Sequence, residues 1–205
     1  MAGINSKTAP ITAYPVGDIG LLYVMVRKAA SMSVKKAIET AAGQKINGCA
    51  VYDASRKSWP SALRFTVVRN PWERAASCWA SKIGEHGSMY GSFRDYGMWK
   101  DMTLKDFLLK IKAMPVLEHD AHWAPMCRGL ISNGELCVDM ILRHESLCDD
   151  WARLMTLFPS LPELQHVGYK KSNALRDYYN AETWGLVEDI YADDIKMFGY
   201  SGMKY

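Results

Sequence analysis

The chain has 205 residues, 49% of them hydrophobic and 23% charged, with a formal net charge of +3. That length supports one sizeable core, or one domain with an added lobe. A slight positive excess, with no lysine-rich tail and no long basic run, gives no reason to expect a nucleic-acid partner, and no window approaches the roughly 18 uninterrupted apolar residues of a membrane span.

The opening stretch, MAGINSKTAPITAYPVGD, is polar, rich in turn residues and without the apolar core of a signal peptide. Residues 1–18 therefore read as a flexible segment ahead of a single domain, and a cytoplasmic protein is expected, its oligomeric state open. The five cysteines, at 49, 78, 127, 137 and 148, are scattered and odd in number. They form no CxxC pair or zinc spacing, so reduced buried thiols are expected. No internal repeat is visible.

Residues 20–26, GLLYVMV, form a short apolar run bounded by glycine and a charged loop, the pattern of a buried strand. Residues 33–42 read as a helix and 43–62 as largely irregular. LRFTVVRN, 63–70, is a second buried strand. A helix start follows: Asn70 is placed to cap, Pro71 fits the first helical position, and Glu73 sits where a capping box puts its acid. That helix should reach about Lys82. Residues 84–102, rich in Gly, Ser, Met and aromatics, read as a mobile loop. Thr103 is placed to cap a helix through Lys112. CVDMILRHE, 137–145, is a third strand, with an amphipathic helix in SLCDDWARLMTLF. A last helix is expected over 181–197, stopped by Gly199. Strands alternating with helices predict an α/β fold with a parallel sheet flanked by helices, and a largely helical C-terminal part.

Two strand–loop–helix units carry chemistry. RKAASMS, 27–33, places Arg27 and Lys28 just before a helix, with Ser31 and Ser33 at its start and Lys35 and Lys36 beyond. Cations are unfavourable at a helix N-terminus unless an anion sits there, where free N–H groups and the dipole point at it. An ordinary turn with solvated lysines is the alternative. No Walker A loop is present. In TVVRNPWERAASCW, 66–79, Arg69 leaves the second strand at its C-terminal end, and Arg74 and Ser77 share a helix face. Ligands of parallel sheets collect at that edge. A surface arginine pair is the alternative here.

RNPWERAASCW resembles the RxPxxRxxSxY/W element with which sulfotransferases grip the 3′-phosphate of PAPS (3′-phosphoadenosine 5′-phosphosulfate). RKAASMSVKKAI is similar to their 5′-phosphosulfate loop, often PKxxSTSxK, and precedes the first element by about 40 residues, as the family order requires. HWAPMCRGL followed by VDMILRHESLCDDWARL resembles the HWxPQ…DFIxRxExL region of carbohydrate, chondroitin-type sulfotransferases. KKSNALRDYYNAETWGLVEDIYADDIKMFGY resembles their closing segment.

The resemblance spans most of residues 20–200 and implies the P-loop-like sulfotransferase sheet. It implies PAPS as donor, PAP as product, a hydroxyl acceptor that is a glycan or small molecule, and no metal. Arg27, Lys28, Ala29, Ala30, Ser31, Met32 and Ser33 would then form the phosphosulfate loop. Arg69 and Ser77 would hold the 3′-phosphate, with Lys171 and Arg176 adding cations. Arg27 stands where the family has proline, and Met32 where it has threonine. Lys28 would serve the leaving group. For the general base, His122 in the HWxP motif ranks first, Glu85 second and His119 third. His144 reads as structural. The aromatic stretch 86–99, with Arg94 and Lys100, is a candidate acceptor surface. A non-catalytic PAP-binding member and a small P-loop-like kinase are the alternative functions.

Overall fold

The computed structural model describes residues 12–16, 19–48, 59–84, 91–132, 134–165 and 177–201. In chain order the elements are β1 (Ala13–Val16), β2 (Leu21–Val24), α1 (Ser31–Ala41), β3 (Leu63–Val68), α2 (Pro71–Lys82) and the single-turn α3 (Gly91–Arg94). After these come α4 (Leu104–Ala113), α5 (Met126–Leu130), β4 (Ile131–Ser132), β5 (Glu135–Leu136), β6 (Met140–Arg143), α6 (Leu147–Leu157), α7 (Ala181–Ile190) and α8 (Ala192–Phe198). The described residues fall into two compact units, 12–69 with 126–165 and 70–125 with 177–201.

The first unit is built on a four-stranded sheet in the order β1-β2-β3-β6. β2, β3 and β6 run parallel, with Tyr23 opposite Phe65 and Phe65 opposite Met140. All four residues of β2 are fully buried, as a strand inside a helix-flanked sheet requires, and this is why its sequence is continuously apolar. Thr66, the fully buried polar residue of β3, donates its hydroxyl to the carbonyl of Val24 at 2.8 Å. β6 is aligned by Asp139, whose Oδ2 accepts from both the backbone N and Nε of Arg64 at 2.9 Å. α6 then folds back, so that Trp151 meets the edge of Phe65 with ring centroids 6.1 Å apart. Asp150 in its first turn accepts from the backbone N of Arg143 at 2.8 Å.

The expected parallel sheet is therefore present, with an addition. Ala13–Val16 lies within the segment expected to be flexible, yet it is a strand, antiparallel to β2 and largely buried. Tyr14 sits opposite Tyr23 and stacks on it at 6.3 Å. Pro15 is tolerated because, among the described residues, β1 is the edge strand of the sheet, where a missing N–H breaks no ladder.

The second unit is helical. Asn70 caps α2 as expected, its Oδ1 accepting from the backbone N of Trp72 and of Glu73 at 3.1 and 3.3 Å. Thr103 caps α4 by accepting from the backbone N of Asp106. The core gathers Trp72, Phe107, Leu108, Trp123, Val187 and Tyr191. Trp72 stacks on Trp184 at 4.8 Å and donates Nε1 to its carbonyl.

Two expectations fail here. Residues 91–102 are not a loose loop: Phe93, Met98 and Met102 are buried, and Trp79 Nε1 donates to the Met102 carbonyl at 2.8 Å. Apolar side chains at 93, 98 and 102 anchor the stretch despite its glycines. The C-terminal helix is two helices, because Tyr191 leaves helical geometry at φ −116° and ψ 26° and turns its ring into the core. Gly199 does end the second helix, in the left-handed conformation at φ 62°. Cys78, Cys127 and Cys137 are buried free thiols, whereas Cys148 is exposed; Cys49 lies outside the described residues. No described helix is long and apolar enough to cross a membrane.

Tyr23 sits at the centre of the sheet, stacked on Phe65 at 5.1 Å. Its buried hydroxyl has no hydrogen-bond partner among the described residues, and burial pushes the phenol far up, so it stays neutral. A buried unsatisfied hydroxyl costs about 1–3 kcal/mol. Tyr23→Phe is therefore expected to leave stability unchanged or raise it by about 1 kcal/mol, read as the urea midpoint at constant slope. A loss above that size would show that the hydroxyl is satisfied.

Candidate functional site

β2 and β3 are parallel neighbours, so the residues following them emerge at one edge of the first unit's sheet. After β2 the chain turns through 25–30 into α1. Two non-glycine residues in this turn have positive φ, Lys28 at 69° and Ala30 at 54°. Ala30 is the N-cap of α1, offers no side-chain cap, and no acid lies in the helix's first turn. This helix start is left to be satisfied by something other than a capping side chain, as at anion-binding helix N-termini.

After β3 comes Arg69, only 6% exposed. Its Nη1 donates to the carbonyl of Lys28 at 3.3 Å. The Arg69 side chain is thus tied to the backbone of the turn that carries Lys28, and the alternative of a surface arginine does not describe Arg69. Around them, Ala29 and Ser33 are buried, Lys28, Ala30 and Ser31 are half-buried, and Arg27 and Met32 are exposed. Met32 is 64% exposed on the first turn of α1. Lys35 is engaged elsewhere, pairing with Glu39 at 3.7 Å and lying over the Tyr14 ring. Left-handed geometry at a residue with a Cβ costs about 1–2 kcal/mol. Such strain concentrates where the surroundings impose it, often at binding sites.

In the second unit Ser77 is half-buried on α2, and its hydroxyl makes no hydrogen bond to a described residue. Arg74, on the same helix face, is buried. It donates Nη1 to the carbonyl of Ala124 at 2.9 Å and Nη2 to that of Ala121 at 3.4 Å. It is a structural tie of the 121–124 turn. Tyr191 adds a third tie, its hydroxyl donating to the Trp123 carbonyl at 2.8 Å; burial pushes this phenol up, which keeps it a donor.

That turn carries His122. The imidazole is one-fifth exposed, with the edge of Phe93 against it at 5.8 Å. Its Nδ1 meets Asp120 Oδ1 at 2.5 Å. Asp120 was not foreseen, although an Asp bonding two residues onward is a recurring local pattern. Nearby, the Tyr96 phenol is pushed up by desolvation and then by the carboxylates of Asp120, Asp95 and Glu118. His119 is differently placed. It is buried, and its Nε2 lies 3.1 and 3.2 Å from the carbonyls of Ile111 and Met114. Facing two acceptors, Nε2 must carry the proton, so that atom cannot act as a base. Arg94 and Lys100 are both exposed. Glu85, Lys171 and Arg176 lie outside the described residues.

The backbone at Ala30 gives a direct test. Ala30→Gly removes the Cβ clash and is expected to stabilise the chain by about 0.5–1 kcal/mol. Ala29→Gly next door, where φ is not positive, is expected to destabilise it by a similar amount. Urea unfolding of both variants checks this; equal destabilisation by both would contradict the left-handed geometry.

Comparison with the curated proteins and with the solved structures returns no match for this chain. A family model described as "Sulfotransferase family" matches residues 16–201. The matched span contains the left-handed turn, Arg69, Ser77 and His122, and the chain belongs to the sulfotransferase family.

Proposed function

We propose that the chain transfers the sulfuryl group of PAPS to a hydroxyl of an acceptor, with a carbohydrate as the acceptor class, and releases PAP. The observation that carries this reading is the bond from Arg69 to the Lys28 carbonyl. It ties the buried guanidinium following β3 to the turn that follows the parallel neighbour β2 and leads into a helix start without a side-chain cap, which supports a donor carrying several phosphate charges.

In this reading the N–H groups of residues 29–33 and the hydroxyls of Ser31 and Ser33 hold the phosphosulfate. Lys28 neutralises the leaving phosphate, where charge builds as the S–O bond breaks. Arg69 and Ser77 hold the 3′-phosphate, with Lys171 and Arg176 as further cations. The acceptor oxygen attacks sulfur in line with the departing phosphate oxygen. Its proton goes to His122, with Glu85 as the second candidate for that role. The new bond is O–S, the broken one joins sulfur to the bridging oxygen, and PAP leaves with the electron pair.

Calorimetry with PAP against ATP is the first measurement, followed by labelled-sulfate transfer to sugars, lipids and phenols. Binding of ATP but not PAP would overturn the reading in favour of a kinase-like protein. PAP binding with no transfer to any acceptor would favour a non-catalytic member.

Two substitutions probe the roles. His122→Ala is expected to lower turnover by about 10²-fold or more while PAP affinity stays within about twofold; near-normal turnover removes His122 from the role. Met32 is exposed and contributes nothing to the core, so Met32→Thr tests donor binding without a folding cost. One added hydroxyl bond, about 0.5–1.5 kcal/mol, should tighten PAP binding roughly 2- to 10-fold. Unchanged or weaker binding means that the loop cradles the phosphate without a hydroxyl at this position.

A further inference from the structure

Asp120 organises the turn that carries His122. Its backbone carbonyl accepts from the backbone N of Trp123 at 3.0 Å and of Ala124 at 2.8 Å. Its carboxylate accepts from the backbone N of His122 at 2.9 Å, and the same oxygen lies 2.5 Å from His122 Nδ1. From outside the turn, Arg74 and Tyr191 fix the carbonyls of Ala121, Ala124 and Trp123. Backbone and ring of His122 are thus held by one side chain, on a turn that cannot easily shift.

An ionised carboxylate can only accept hydrogen bonds. The proton of a neutral His122 must therefore sit on Nδ1, which leaves the lone pair on Nε2. No described residue bonds Nε2. When the ring takes a second proton, Asp120 lies against the resulting imidazolium, so the charge formed in the reaction meets an opposite charge already in place.

We infer that Asp120 is a positioning residue that fixes His122 in the Nδ1–H tautomer and presents Nε2 as the proton acceptor. The inference rests on the reading of His122 as the base. It adds which atom takes the proton and which residue decides this. A purely structural Asp120 would hold the turn equally well without affecting the tautomer, so the two roles separate experimentally.

Asp120→Asn keeps the size and an oxygen for the His122 N–H, but its amide can also donate, which permits either tautomer. The full-length chain is compared with this variant by ¹⁵N-detected imidazole NMR at a pH where the ring is neutral. Labelled-sulfate transfer from PAPS and PAP calorimetry accompany it, with His122→Ala and the double variant in parallel. The expected result is a pure Nδ1–H signal for His122 in the parent chain and a mixture in Asp120→Asn. Turnover should fall by about 10-fold or more while PAP affinity stays within about twofold. The double variant should be no slower than His122→Ala alone, since the aspartate acts only through the histidine. An unchanged tautomer in Asp120→Asn overturns the inference, as does a double variant clearly slower than His122→Ala. Normal turnover in His122→Ala, by contrast, sinks the base assignment itself, whatever the NMR shows.

Discussion

Arg69 reaches from the end of one strand to the backbone carbonyl of Lys28, beyond the end of its parallel neighbour. Much follows from this bond. It holds the turn ahead of α1 in a shape with Lys28 and Ala30 in left-handed geometry. It also buries a guanidinium that would otherwise demand solvent. Parallel pairing is what makes the reach possible, because only strands running the same way deliver their following residues to one edge. The buried strand β2 is in turn what makes the pairing secure. Its four side chains are inaccessible on both faces, so the strand is held by burial on both sides of the sheet.

α2 carries two consequences of a single short motif. Ser77 remains available on it, while Arg74 is drawn inward to the carbonyls of the 121–124 turn. Two polar residues three apart on one helix face are therefore divided between a half-buried candidate for ligand binding and an internal brace. The brace matters because the turn is otherwise a short irregular segment; three of its carbonyls are bonded from outside and one aspartate bonds from within.

The elements most legible in the sequence are those written by local rules. Asn70, Pro71 and Glu73 marked the start of α2 to the residue, and the apolar runs at 21–24 and 63–68 marked buried strands. The missed elements depend on distant partners. β1 is a strand by pairing with β2 along all four of its residues; alone, its proline and polar neighbours read as coil. The break at Tyr191 carries no glycine or proline; the residue there is instead buried, with a hydroxyl bond to Trp123, 68 positions away. At the candidate site, histidines were ranked by motif and spacing, which favoured His122 without revealing its carboxylate partner and left His119 in contention. Burial against two carbonyls, a tertiary fact, separates them.

The turn at 27–30 contains no glycine. Glycine would adopt its two left-handed positions at lower strain, but would leave the segment loose before an anion arrives. Side chains at Lys28 and Ala30 narrow the accessible backbone, and the buried methyl of Ala29 pins the middle of the turn. In the proposed reading the N–H groups are directed before any encounter with the donor, so less ordering entropy would be lost on binding. The cost is carried as permanent strain in the folded chain, balanced by the buried sheet beneath. As the proposed donor loop it would act as a stiff receptor, with changes in affinity showing up mainly in how slowly the donor leaves, not in how fast it arrives.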